Sequence, residues 1–178
     1  MQNERIAVLG AGSWGTALAN VLASNGHATR LWAYEGPVAD DINANHRNEK
    51  YLPGVDLEPS LEATSVMADA LDGATVVVSV SPSHVVRPVM HEAGELMAGS
   101  RPLIVTASKG IEIHTDLRMS EVLRDVLGDE TAGGCVVLSG PSFAAELARR
   151  LPTAVTLASD DPDNARRVQG LFQNDHFR

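Results

Sequence analysis

The sequence predicts an α/β protein with a doubly wound, mostly parallel sheet and helices on both faces of that sheet. Short apolar runs alternate with longer segments of helical spacing, which is the pattern of βαβ units. Most of the runs are rich in Val, Ile and Leu without alternation, as in strands buried on both faces. The chain is 44% hydrophobic and 21% charged over 178 residues, so we expect one globular domain spanning residues 1–178.

Six strands and six helices are expected along the chain. The strands are expected at residues 6–9, 29–33, 75–80, 103–106, 136–138 and 154–157. The helices are expected at residues 15–24, 38–44, 84–97, 116–127, 143–149 and 162–172. Good capping residues, Ser159, Asp160 and Asp161, precede the last helix, and Pro162 lies in its first turn. Residues 45–59 are polar, carry two prolines and are expected to form a long loop.

The charge and the cysteine content exclude several classes of function. The net charge of -9 disfavours nucleic acid and anionic lipid as partners, so a phosphate ligand must be held by local geometry. Cys135 is the only cysteine, which excludes an internal disulfide and a cysteine-based zinc cluster and fits a reducing cytoplasm. The six histidines lack ligand spacing, so no metal site is expected. Neither a signal peptide nor a membrane span is predicted.

A glycine-rich turn follows the first predicted strand and opens the first predicted helix. Gly10 allows a tight turn, Gly12 lets the backbone approach a pyrophosphate, and Gly15 permits close packing of helix on sheet. The helix N-terminus offers free N–H groups to that pyrophosphate. These features predict a Rossmann-like dinucleotide site, and the alternative is a purely structural turn. Ser13 and Trp14 are expected at the apex of the turn, where Trp14 either covers the cofactor or only packs.

The end of the second predicted strand places Tyr34 and Glu35 where an adenosine ribose is read, about 20 residues after the glycines. Glu35 is expected to accept hydrogen bonds from the ribose hydroxyls, which would favour NAD over NADP by repelling a 2′-phosphate. Two alternatives stay open. Tyr34 stacks on adenine while Arg30 or Arg47 meets a phosphate, or Glu35 is only a solvated surface charge.

Three later segments also follow predicted strands and therefore lie at the edge of the sheet where ligands bind. Ser83 is expected to cap the helix that follows it, and His84 is expected to be structural rather than catalytic. Lys109 precedes a glycine and can project a cation towards an anionic ligand, with a plain surface lysine as the alternative. Gly140 and Ser142 lie in a turn that either approaches a ligand or only caps a helix.

Together these segments resemble the bacterial NAD(P)-dependent glycerol-3-phosphate dehydrogenases over essentially the whole chain. The order of SKG and SGPSFA after GAGSWG is more specific than the glycine fingerprint alone. The segments that carry the resemblance are GAGSWGTALA at residues 10–19, LWAYE at 31–35, NEKYLPG at 48–54, SPSH at 81–84, SKGIE at 108–112 and SGPSFAAELARRLPTA at 139–154.

The resemblance implies an enzyme that interconverts dihydroxyacetone phosphate and sn-glycerol 3-phosphate for phospholipid synthesis, using NAD or NADP. It implies a Rossmann-like domain followed by a helical domain that holds the general acid/base lysine, beyond residue 178. The oligomeric state stays open, with a homodimer of the full-length protein as one option. The resemblance further implies cofactor contacts at Ser13, Trp14, Tyr34, Lys109 and Ala144, and substrate contacts at Lys109, Gly140 and Ser142.

Two other interpretations remain at this point. A related dehydrogenase of β-hydroxyacids or ketopantoate shares the glycine fingerprint, although it does not account for SGPSFAAE after SKG. A nucleotide-sensing or partner-binding module would be self-contained at this length and would give Lys109 no role. Residues 174–178 look like the beginning of another strand, which favours a longer natural protein over a frayed terminus.

Overall fold

A computed structural model describes residues 4–178, whose strands form one seven-stranded sheet in the order β3-β2-β1-β4-β5-β6-β7. Every neighbouring pair is parallel except β6 and β7, which are antiparallel. The predicted fold class, an α/β protein with a mostly parallel sheet, is therefore confirmed. The strands are β1 Arg5–Leu9, β2 Ala28–Trp32, β3 Glu62–Thr64, β4 Val76–Ser79, β5 Leu103–Thr106, β6 Val136–Ser139 and β7 Thr156–Ala158.

Helices cover both faces of the sheet and bury it in two hydrophobic clusters. One cluster joins the sheet to α1, α2, α7 and α8, and the other joins it to α3, α4, α5 and α6. The helices within the described residues are α1 Ser13–Ser24, α2 Gly36–Asn45, α3 Met67–Leu71, α4 Ser83–Leu96, α5 Met119–Leu127, α6 Asp129–Ala132, α7 Ala144–Ala148 and α8 Pro162–Phe172.

The central strands show why their sequence lacks alternation. In β1, Ile6 and Val8 point into the first cluster, while Ala7 and Leu9 point into the second. All four side chains are at most 2% exposed, so each face of the strand is sealed by a helical layer. Both faces therefore require apolar residues, as parallel sheets covered on two sides do.

The short elements are where the sequence-based prediction was wrong. It missed β3, α3 and α6, which have 3, 5 and 4 residues and are too short to show a hydrophobic period. The strand expected at residues 154–157 is instead β7 at Thr156–Ala158, and it lies antiparallel at the edge of the sheet. Phe177 forms an isolated parallel bridge with Thr153, so part of the segment expected to begin a further strand does pair.

Helices α5 and α4 begin differently from the prediction, whereas α8 begins where it was expected. Helix α5 begins at Met119 rather than at residue 116, because His114 and Asp116 have positive φ angles of 78° and 57° that a right-handed helix excludes. Ser83 is the first residue of α4 and not its N-cap, which is Pro82. In α8 the prediction was right, since the Asp161 side chain accepts a hydrogen bond from the Asp163 amide and Pro162 begins the helix.

The loop expected at residues 45–59 is present, since α2 ends at Asn45 and no strand or helix is assigned before β3 in this part of the described chain. Across residues 4–178, no helix has both the length and the apolar content that crossing a membrane requires.

Candidate functional site

A cleft opens at the carboxyl ends of β1 and β4, where the order of the strands reverses direction along the chain. Strands β2 and β3 are added on one side of β1, whereas β4 to β7 are added on the other. The connections after β1 and β4 therefore diverge, and ligands bind at such switch points in open α/β sheets. The cleft has a volume of about 690 Å³ and is bordered by the glycine turn, the end of β2 and the start of α4.

The three glycines of the turn contribute to the cleft in different structural ways. Gly10 has a φ of 127°, which side chains rarely adopt, and a Cβ there would lie 3.0 Å from the carbonyl oxygen of Val80. A Cβ on Gly15 would lie 1.8 Å from the Gly10 carbonyl oxygen, so only glycine fits. Gly12 borders the cleft, and beyond the neighbouring residues of the chain no described atom lies within 4 Å of a Cβ built on it. Gly12 thus leaves space that a ligand can use.

The N-terminus of α1 faces this space as an anion-binding element. The helix has 12 residues, Gly12 is its N-cap, and within the described chain no side chain caps its first turn. Its first turn also contains no acidic residue, so the amide groups and the positive end of the helix dipole are available to a phosphate. Ser13 and Trp14 form this first helical turn, and the expectation that they lie at a turn apex before the helix was wrong.

The end of β2 brings aromatic and acidic groups to the mouth of the cleft. Tyr34 is 85% exposed and its ring contacts Trp32 edge to face, with 6.2 Å between the ring centroids. Glu35 is the N-cap of α2 and accepts hydrogen bonds from Lys50, at 2.5 Å, and from the hydroxyl of Tyr51. Tyr34, Glu35 and Tyr51 all line the cleft, so the structure brings both residues expected at a ribose to it.

Asn48 was not among the predicted site residues, yet it fixes the loop carrying Tyr51 to the glycine turn. Asn48 is 1% exposed, and its amide nitrogen donates to the carbonyl of Ala11 at 3.0 Å and to the hydroxyl of Thr16 at 2.8 Å. Its side-chain oxygen accepts the backbone N–H of Tyr51 at 3.1 Å. An asparagine in a polar loop gives no sequence signal of this role, because Ala11 and Thr16 lie more than 30 positions away.

The two arginines considered as phosphate partners are engaged elsewhere. Arg30 pairs with Glu62 at 3.0 Å and donates to the carbonyl of Asp69, while Arg47 pairs with Asp56 at 2.8 Å. Neither arginine borders the cleft. The structure therefore gives no support to the alternative in which one of them meets a phosphate.

A second group of predicted residues is assembled around Lys109. Its ammonium donates to the carbonyl oxygens of Gly140 at 3.3 Å and Ser142 at 3.2 Å, and it lies 5.4 Å from the centroid of the Trp14 ring. Lys109 thereby joins the loops after β5 and β6 to the first turn of α1. The Trp14 ring is half-buried against the core, so the packing interpretation of this residue also holds.

Two buried polar atoms near Lys109 are without a partner among residues 4–178. They are Nε1 of Trp14 and the hydroxyl of Ser142, a residue that is 7% exposed. A buried donor without a partner is costly, which makes both atoms candidates for a ligand or water contact. Ala144 begins α7 directly after this loop and packs against the core beside the site.

The loop after β5, which carries Lys109 and Glu112, is held against α4 by contacts that the sequence does not reveal. Arg87 donates two hydrogen bonds to the Glu112 carboxylate, at 2.8 and 2.9 Å, and Thr115 donates a third at 2.6 Å. These hydrogen bonds, those from Arg87 first, lower the pKa of Glu112 to about 2, so the clamp stays ionised near neutral pH. Gly110, with a φ of 112°, leaves 3.1 Å between its would-be Cβ and the Ser83 hydroxyl.

The structure gives little support to a catalytic His84 or to a metal site. His84 is exposed at the first turn of α4 and borders the cleft, where nothing else distinguishes it as an acid or base. Among the described residues, no three His, Cys, Asp or Glu side chains are grouped so that they could hold a metal ion.

The fold, the switch-point cleft and the glycine turn define a Rossmann-type domain. Residues 5–165 match the family described as "NAD-dependent glycerol-3-phosphate dehydrogenase N-terminus". The chain belongs to that family, and the resemblance drawn from its sequence segments is confirmed.

Three similar proteins illustrate the match. Glycerol-3-phosphate dehydrogenase [NAD(P)+] of Anaeromyxobacter sp. strain K is 49% identical over 174 residues, covering 98% of this chain and 52% of the relative. The enzyme of the same name from Lactiplantibacillus plantarum is 45% identical over 177 residues, covering 98% and 52%. A crystal structure of glycerol-3-phosphate dehydrogenase from Coxiella burnetii superposes with a TM-score of 0.90 at 35% identity, covering 99% of this chain and 53% of that one. The chain thus spans about half the length of these relatives.

Proposed function

We propose that this chain is the cofactor-binding domain, residues 1–178, of an NAD(P)-dependent glycerol-3-phosphate dehydrogenase that works in the cytoplasm and supplies phospholipid synthesis. The observation that carries the proposal is the position of Lys109. Its ammonium lies between the first turn of α1, which begins the cofactor site, and the loop of Gly140 and Ser142. One cation therefore stands where a nucleotide and a phosphorylated substrate would meet.

The residues of the cleft fit a dinucleotide. The space in front of Gly12 and the uncapped N-terminus of α1 suit a pyrophosphate, with Ser13 in the first turn. The adenosine would lie against Tyr34 and Glu35 at the mouth of the cleft. The nicotinamide end would run towards Trp14, Lys109 and Ala144. In this arrangement Gly10, which also borders the cleft, and Gly15 shape the turn that would hold the pyrophosphate.

The substrate would lie beyond the nicotinamide, beside Lys109, Gly140 and Ser142. Lys109 would turn from the two carbonyls that now accept its hydrogen bonds and meet the anionic substrate. The buried Ser142 hydroxyl, unpartnered among the described residues, supplies a hydrogen bond that a substrate oxygen can satisfy. Since the reaction brings two bound molecules together, this orientation is itself a large part of catalysis.

The bound nicotinamide supplies or takes the hydride exchanged with C2 of the substrate. The protein orients the two carbons and stabilises charge on the C2 oxygen, a task for which the Lys109 ammonium is placed. The resemblance assigns the proton transfer at that oxygen to a lysine beyond residue 178. The 178 residues alone are therefore expected to bind cofactor but to turn over little or no substrate.

A substrate panel on the full-length protein tests this proposal. We expect oxidation of reduced cofactor with dihydroxyacetone phosphate and little with ketopantoate or β-ketoacids, because a phosphate brings more negative charge to the Lys109 ammonium than a single carboxylate does. The chain of 178 residues serves as the matched control and should be nearly inactive. A full-length enzyme that prefers ketopantoate would contradict the assignment, and so would rapid turnover by the short chain.

A further inference from the structure

An ion pair between Lys50 and Glu35 lies at the adenosine end of the proposed cofactor site. The Lys50 ammonium is 2.5 Å from one carboxylate oxygen of Glu35, and the Tyr51 hydroxyl donates to the other. The ammonium also lies 5.2 Å from the centroid of the Tyr51 ring. Both oxygens of the acidic residue expected to read the ribose are thus already hydrogen-bonded within the protein.

The loop that carries this pair is held in a defined position. The side chain of Asn48 bonds the loop to the glycine turn through Ala11 and Thr16, and the Leu52 amide donates to the Asn48 carbonyl at 2.8 Å. Lys50 is therefore attached to a fixed backbone beside the cleft. Its side chain is 54% exposed, so it can exchange a carboxylate partner for a phosphate without leaving water.

The pair changes the charge that a nucleotide would meet. An isolated carboxylate at this position repels a 2′-phosphate and favours a free ribose. Here the hydrogen bonds from Lys50 and then Tyr51 lower the pKa of Glu35, so the carboxylate is ionised and its charge is balanced by the nearby ammonium. The repulsion expected from the sequence is accordingly offset.

We propose that Lys50 lets the site accept a 2′-phosphate, because its ammonium can bind the group that Glu35 alone would exclude. The inference rests on the proposed function, since it places adenosine at Tyr34 and Glu35. It predicts that the domain binds 2′-phosphorylated and unphosphorylated nucleotides alike. An ammonium is a well-suited point-charge partner for phosphate, whereas Glu35 remains the partner of a free ribose.

The test uses calorimetry to compare how the chain binds 2′,5′-ADP, which carries a 2′-phosphate, and 5′-ADP, whose 2′-hydroxyl is free. We expect Lys50→Met to lower the affinity for 2′,5′-ADP by about 10- to 100-fold, because one charge-assisted hydrogen bond is lost. The affinity for 5′-ADP should change less than about threefold, because Glu35 keeps its carboxylate. Glu35→Gln should instead raise the affinity for 2′,5′-ADP relative to that for 5′-ADP, since it removes the negative charge that repels a 2′-phosphate.

Two control variants sharpen the result. Lys50→Arg keeps a cation and should retain most of the affinity for 2′,5′-ADP. Arg47→Met removes an equal charge from the same loop, but Arg47 pairs with Asp56 outside the cleft, so the ratio of the affinities for 2′,5′-ADP and 5′-ADP should not change.

Three outcomes would overturn the inference. They are equal weakening of both nucleotides by Lys50→Met, a selective loss of 2′,5′-ADP affinity in Arg47→Met, and a wild-type chain that binds 5′-ADP but not 2′,5′-ADP. The last outcome would leave the proposed function standing. A folded wild-type chain that binds neither nucleotide would count against the cofactor site itself and would overturn this inference with it.

Discussion

Replacing Gly15 with alanine should strongly destabilise the fold, whereas the same change at Gly12 should leave it nearly unchanged. The new Cβ at Gly15 would lie 1.8 Å from the Gly10 carbonyl oxygen and 2.8 Å from a methyl carbon of Val80. The first atom belongs to the backbone, so relief requires α1 to move away from β1. We expect a loss of at least about 3 kcal/mol in the free energy of unfolding. Thermal unfolding followed by circular dichroism measures it.

Gly12→Ala is the matched control for this prediction. Gly12 has a φ of -67°, which alanine adopts freely, and beyond the neighbouring residues of the chain no described atom lies within 4 Å of the new Cβ. Its melting temperature should remain within about 2 °C of wild type, while Gly15→Ala should melt about 6 to 12 °C lower if it folds. Equal melting temperatures for the two variants would show that helix α1 does not pack on the turn as closely as described.

The second large effect is expected at Lys109. In the full-length enzyme, Lys109→Met should lower kcat/KM for dihydroxyacetone phosphate by about 100-fold, because it removes the cation that the proposed function assigns to both cofactor and substrate. The same change should weaken cofactor binding to the 178-residue chain by a smaller factor. Steady-state kinetics and a binding titration measure the two effects separately.

Arg149→Met provides the charge-matched control, since Arg149 is an exposed cation at the end of α7. Its removal should change kcat/KM less than about threefold. Lys109→Arg should recover only part of the activity, because the larger planar group cannot occupy the position of the ammonium between Gly140 and Ser142. An equal loss of kcat/KM in Lys109→Met and Arg149→Met would show that Lys109 acts only as a surface charge.

The central features of the fold were predictable from the sequence because they depend on local pattern. Buried parallel strands demand uninterrupted apolar runs, so β1, β4 and β5 were found close to their observed positions. The glycine turn has fixed spacing and its place after β1 follows from the strand. Lys109 was identifiable because a polar residue after a buried strand must lie at the ligand-binding edge.

The features that could not be predicted depend on residues that are distant in the sequence. Asn48 bonds to the glycine turn, and Arg87 bonds to Glu112 25 positions away, and neither pairing leaves a local pattern. Strand β3 exists because β2 offers it a parallel edge, since its three residues carry no hydrophobic signal. Lys50 was overlooked for the same reason, because its partner Glu35 comes from another element.

The most direct test of the central claim is a titration of the folded 178-residue chain with NADH. Its two tryptophans report on the site, since Trp32 borders the cleft and Trp14 contacts Lys109. We expect saturable quenching of tryptophan emission together with a change in nicotinamide fluorescence, weakened when Gly12 is replaced by valine. A chain that melts cooperatively yet shows no saturable binding of NADH or NADPH would contradict the claim that it is the cofactor-binding domain.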